Sequence, residues 1–139
     1  MAYKHLFIDS DILLDTLLKR EPFHSYAQIL LMECEKRNVQ LNTSALVISN
    51  VHYVLSRSIG SPTSRNKIKE LIKAVKVLSF ENDIVDLALD SNFTDFEDAI
   101  QYLIAKRYNC EAIITRNVRD FKGSDVTVFT PEMFLKTLN

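Results

Sequence analysis

The chain is poor in the residues that build loops. Only 2 glycines and 3 prolines occur among 139 residues, which argues against a disordered or loop-dominated protein. Long apolar runs are missing too. None approaches the ~18 residues needed to cross a bilayer, so no membrane association is expected. There is no surplus of either charge. A net charge of -1 gives no global pull toward nucleic acid, so any polyanion must be held by a local basic patch or through metal. The two cysteines, Cys34 and Cys110, have no C-x-x-C or Cys/His spacing. Buried free thiols in a reducing cytoplasm are expected. The first residues run directly into a strand pattern with no signal-peptide signature, which also points to a cytoplasmic protein.

What is present is an ordinary globular composition, 47% hydrophobic and 25% charged. The length suits one domain over 1–139 with a real core. Apolar runs at 3–8, 39–43, 75–80, 112–115 and 126–129 read as strands. Helical periodicity is expected near 12–19, 22–37, 44–58, 63–74, 84–89, 95–108 and from Pro131 onward. Ser10 or Asp11 is the expected cap of the first helix, and Asn82 or Asp83 is expected to start a later one. Phe23, Ala27, Leu30, Leu31 and Cys34 form an expected buried stripe, as do Val47, Val51, Val54 and Leu55. Strands alternate with helices throughout, which implies an α/β fold with a parallel sheet covered on both faces.

Acids stand where these strands should end. The first strand leads into Asp9-Ser10-Asp11, a later helix opens with Asp95-Phe96-Glu97-Asp98, and the strand at 112–115 leads into Thr115-Arg116-Asn117-Val118-Arg119-Asp120. In an open parallel sheet, strand ends and helix starts share one edge, and ligands bind there. Crowded carboxylates repel unless a cation lies between them, so the set predicts a hard ion such as Mg²⁺ or Mn²⁺. Asp95 and Asp98 lie three apart on one helix face. Asp15 lies one turn beyond Asp11, with a supporting or a merely solvated role equally open. Thr115 and Asn117 are suited to holding a water or a phosphate, and Asp120 either joins the metal shell or caps a loop. Each acid taken singly is also an ordinary helix cap favoured by the helix dipole.

Arg116, Arg119 and Lys122 flank the third group and would complement a phosphodiester. The cations Arg57, Arg65, Lys67, Lys69, Lys73 and Lys76 read as solvated helix surface. His5, His24 and His52 share no spacing and are assigned no chemistry. Tyr26, Tyr53 and Tyr102 read as packing residues.

The ordered set resembles the PIN-domain nucleases, especially the small bacterial group that includes VapC-like toxins. The match is carried by Phe7-Ile8-Asp9-Ser10-Asp11-Ile12-Leu13-Leu14-Asp15, by Asp95-Phe96-Glu97-Asp98-Ala99-Ile100-Gln101, by the segment from Ile113 to Phe121 and by Thr130-Pro131-Glu132-Met133-Phe134-Leu135. The resemblance implies a three-layer α/β/α sandwich with a central, mostly parallel sheet, usually dimeric. It also implies an Mg²⁺- or Mn²⁺-dependent endoribonuclease, with the toxin role bringing a cognate antitoxin. Asp9, Asp98 and Asp95 are then the metal candidates. Asn117 falls on the fourth acidic position, with Asp120 as a stand-in, and these five form the catalytic set. Asn50 falls where the family usually carries Glu. Thr115, Arg116, Asn50 and Arg119 are the expected substrate contacts.

Two other readings remain. Asn50 and Asn117 in place of acids suit a PIN-like module that binds RNA or a protein partner without cleaving. Asp9-Ser10-Asp11 after a strand also suits a haloacid-dehalogenase-like phosphatase, with Asp9 as nucleophile and Asp11 as acid/base. That family's Gly-Asp motif is absent, and the chain is short for it.

Overall fold

His5–Ile8 forms the central strand β1, and the side chains of Leu6, Phe7 and Ile8 are completely buried. Consecutive side chains on a strand point to opposite faces, so burial of all three means that both faces are covered. In this computed structural model, which describes residues 3–138, four further strands join it: β2 (Gln40–Ser44), β3 (Val75–Leu78), β4 (Ala112–Ile114) and β5 (Thr127–Phe129). The order is β3-β2-β1-β4-β5 and every pairing is parallel. Phe7 stands opposite Asn42 on one side and Ile113 on the other. The order reverses at β1, so the ends of β1 and β4 open a crevice at a topological switch point.

Seven helices among the described residues flank this sheet: α1 (Ser10–Leu18), α2 (Phe23–Lys36), α3 (Ala45–Ile59), α4 (Ser61–Leu71), α5 (Asn82–Leu89), α6 (Phe96–Arg107) and α7 (Pro131–Leu135). Together with the sheet they form the α/β/α sandwich. α1 packs against α2 and α3, and α5 against α6. On α1, Ile12 and Leu13 are buried, each contributing about 2 kcal/mol of apolar transfer. Gly60 sits between α3 and α4 at φ +85°, a conformation that side chains with a Cβ rarely adopt. Cys34 and Cys110 are buried free thiols.

Several expectations need correction. Asp9, not Ser10 or Asp11, caps α1, because the extended backbone of β1 continues through it (φ -77°, ψ 163°). Helix α5 starts at Asn82, as the sequence indicated, with Glu81 in the cap position. Strand β3 stops at Leu78, and α4 starts earlier than expected, with Pro62 in its first turn. Val54 and Phe23 are exposed although each continues an apolar stripe, and Leu31 is only half-buried. Each lies at the margin of a face whose centre, Ala27, Leu30 and Cys34 on α2 or Val47, Val51 and Leu55 on α3, is in the core.

Candidate active site

Capping fixes the orientation of Asp9. Its Oδ1 accepts from the Ser10 N–H at 2.8 Å, which leaves Oδ2 facing the end of β4. There the fully buried Thr115 donates its hydroxyl to Asp9 Oδ2 at 2.9 Å, with a longer 3.4 Å approach to Asp11 Oδ2. The same hydroxyl accepts from the Asn117 N–H at 3.1 Å. Asp11 Oδ2 also receives the Arg116 N–H at 2.9 Å and the Asn117 side-chain amide at 3.3 Å. Asp9, Asp11, Thr115, Arg116 and Asn117 are therefore one network, made where two parallel strands end side by side. Asp11 Oδ1 is buried and has no hydrogen-bond partner among the described residues.

The start of α6 brings in the second acidic group. Asp95 caps this helix by accepting from the Asp98 N–H at 3.0 Å. Ala99 and Ile100 are buried and seat the helix. Further along α6, Gln101 accepts from the buried Ser44 hydroxyl at the end of β2 at 2.8 Å. Asp98 is thus carried to the same sheet edge as Asp9. Its carboxyl is pushed up to about 7, by burial first and then by the charges of Asp95, Asp9, Asp120 and Glu97. Burial also raises Asp9, with Asp120 and Asp95 adding to the effect and the Ser10 and Thr115 hydrogen bonds opposing it. Asp11 rises to about 6 through burial and the neighbouring Asp9, against the pull of Arg116. Asp9, Asp95, Asp98 and Asp120 come from three remote segments, and the charges of Asp95 and Asp120 reach both Asp9 and Asp98.

The other candidates fall in distinct places. Asn50, on α3, donates its amide to Glu97 Oε2 at 2.9 Å. Arg116 holds its guanidinium on the buried Asp15, at 2.8 Å from Nε and 3.3 Å from Nη2. Arg20 completes that cluster at 2.9 Å. Arg119 and Asp120 lie on the short 3-10 helix Val118–Phe121. With Lys122, Asn92, Thr94 and Asp95 they line a polar hollow of about 450 Å³. The sequence left two roles open, giving Glu97 only a place in an acidic run and Asp15 either a supporting or a solvated role. Glu97 joins the acidic group and holds Asn50, and Asp15 is an anchor for two arginines. The run Asp95-Phe96-Glu97-Asp98 was a signal for the first; nothing local signals the second.

The donor chemistry fits a hard divalent cation. The groups are carboxylates, burial and neighbouring negative charge raise Asp9 and Asp98, and one buried oxygen of Asp11 lacks a partner. Among the described residues, no three His, Cys, Asp or Glu side chains are grouped so as to hold an ion by themselves. An ion bound through one or two carboxylates and several waters, the usual habit of Mg²⁺, satisfies both facts.

A switch-point crevice lined with carboxylates, on a five-stranded parallel sheet between helices, defines a class of α/β proteins with an acidic site. The family model described as PIN domain matches residues 5–119, and the chain belongs to that family. It is 30% identical over 144 residues to Ribonuclease VapC1 of Aquifex aeolicus (strain VF5), covering 100% of this chain and 99% of that protein. Among solved structures, a toxin-antitoxin complex from Klebsiella pneumoniae matches with a TM-score of 0.68 at 22% identity, covering 91% of this chain and 97% of that one. VapBC-1 from nontypeable Haemophilus influenzae matches with a TM-score of 0.67 at 19% identity, covering 92% and 98%. Among the described residues, no helix is long and apolar enough to cross a membrane.

Proposed function

We propose that this protein is a divalent-metal-dependent endoribonuclease acting as the toxin of a toxin-antitoxin pair. The observation that carries the reading is the convergence of Asp9, Asp95, Asp98 and Asp120 into one mutually repelling acidic group on a PIN fold. Similarity to a ribonuclease along the whole chain supports it. Asp9 and Asp98 would hold Mg²⁺ or Mn²⁺ directly, with Asp95 and Asp120 acting through water. The bound ion supplies an activated water and offsets the charge that builds up at the phosphoryl group. The residues of the chain do the rest. Thr115 and Asn117 hold Asp9 and Asp11 in place, and Asp95 orients Asp98 through the helix cap. Arg119 and Lys122 offer cations to the RNA phosphates at the edge of the acids. Water adds to phosphorus, the P–O bond to the leaving nucleoside breaks, and the proton from water ends on the departing oxygen.

The test uses purified protein, Mn²⁺ and RNA beside the Asp9→Asn/Asp98→Asn variant. Cleavage by the parent alone is expected. Equal cleavage by both preparations means a contaminating nuclease and ends the proposal. Co-purification with the product of an adjacent gene tests the antitoxin role, and a dimer is expected by light scattering. A second reading, an RNA-binding module without cleavage, is favoured by Asn50 and Asn117 at family acid positions. RNA binding with no Mn²⁺ uptake by calorimetry selects it.

A further inference from the structure

On the Arg116 side of the acids lies a second cleft, of about 670 Å³, a size that admits a nucleoside. Its apolar walls are Phe23, Tyr26, Pro22 and Pro131, and Asn117 and Glu132 are among its polar groups. Phe23 and Tyr26 are 40% and 39% exposed and stand three residues apart on α2, on one face. The Arg116 guanidinium lies over the Phe23 ring, 3.9 Å from its centroid. The Asp15 carboxylate holds that guanidinium, so the stacked pair is braced from beneath. Asn117 belongs to both sites. It lines this cleft and donates to Asp11 in the acidic network. The cleft therefore begins where the acids end.

The lining chemistry selects the occupant. An amphipathic helix needs aliphatic pockets at helical spacing, and among the described residues no Leu, Ile, Val or Met lines this cleft. Flat aromatic faces beside an arginine plane suit an unstacked nucleobase. A base is neutral, so it enters beside Glu132 without the repulsion a phosphate would meet there. We infer that this cleft is the subsite for a nucleobase next to the scissile phosphodiester of single-stranded RNA, with Phe23 and Tyr26 as the stacking residues. The inference rests on the ribonuclease reading. The braced Arg116 keeps Phe23 in place, and Asn117 sets how far the base lies from the acids.

The chain contains no tryptophan, so Tyr26→Trp supplies a single indole reporter. The probes are a ~12-nucleotide mixed-sequence RNA and an abasic ribose-phosphate strand of equal length, both in Ca²⁺. RNA is expected to quench the indole and to bind about tenfold more tightly than the abasic strand. Read by fluorescence polarisation of end-labelled strands, Phe23→Leu with Tyr26→Ala should weaken RNA binding about tenfold and leave the abasic strand unchanged. Circular dichroism melts establish that each variant is folded. Equal affinity for the two strands, or RNA binding without quenching, overturns the subsite and leaves the ribonuclease reading standing if cleavage persists. Quenching by an amphipathic peptide but not by RNA overturns it as well, and so does a failure to bind RNA at all, which also removes the ribonuclease reading.

Discussion

Asn50 and Glu97 are hydrogen-bonded across 2.9 Å, joining the middle of α3 to the first turn of α6. The amide faces a carboxylate where a second carboxylate would be repelled. Asn50→Glu sets two acids against each other beside Asp98, so the metal-free variant should melt about 3 °C lower. Mn²⁺ should raise its melting temperature more than that of the parent. An equal Mn²⁺ shift in both proteins would put α3 outside the metal's reach.

The Thr115 hydroxyl serves three neighbours at once, Asp9, Asp11 and the Asn117 N–H. Thr115→Val keeps the shape and removes all three contacts. RNA cleavage with Mn²⁺ should fall about 10- to 100-fold, the usual cost of losing a group that orients a metal ligand. Thr115→Ser should retain most activity. Wild-type rates in the valine variant would mean that Asp9 needs no such support.

Asp15 is fully buried and receives N–H groups from Arg20 and Arg116. Asp15→Asn leaves both guanidinium groups without their counter-charge. The cost should be about 3 kcal/mol, at the lower end for a broken buried pair because both arginines reach water. A urea midpoint within error of the parent would refute the anchor.

The raised carboxyls predict an unusual pH response. Asp98 at about 7 and Asp11 at about 6 bind their protons more tightly in the folded chain than at the ordinary value of 3.8. The contribution of these two groups to stability therefore declines as pH rises from about 4 to about 7. Metal-free protein should show a higher urea midpoint at pH 5 than at pH 7.5. Asp98→Asn or added Mn²⁺ should flatten the difference. A parent midpoint that rises over this interval would contradict the raised carboxyls.

Much of the architecture was legible in the chain. Apolar runs marked all five strands, helical periodicity marked the helices between them, and acids after strands marked one sheet edge. Boundaries and caps were less so. Asp9 reads as a strand-end acid and acts as the cap of α1, because one residue ends the strand and starts the helix. Phe23 belongs to an apolar stripe by spacing and lies open to solvent, because only the middle of that stripe reaches the core.

By itself the sequence determined which segments are strands and helices and which residues lie near the carboxyl ends of the strands, since both follow from periodicity along the chain. Tertiary structure alone decided who pairs with whom. Arg116 was free, as far as sequence goes, to grip phosphate; in the fold it is bound to Asp15 and stacked on Phe23. Asn50 meets Glu97 only because α3 and α6 converge. Charge pairing depends on distances set by sheet register and helix packing, and no local pattern encodes those distances.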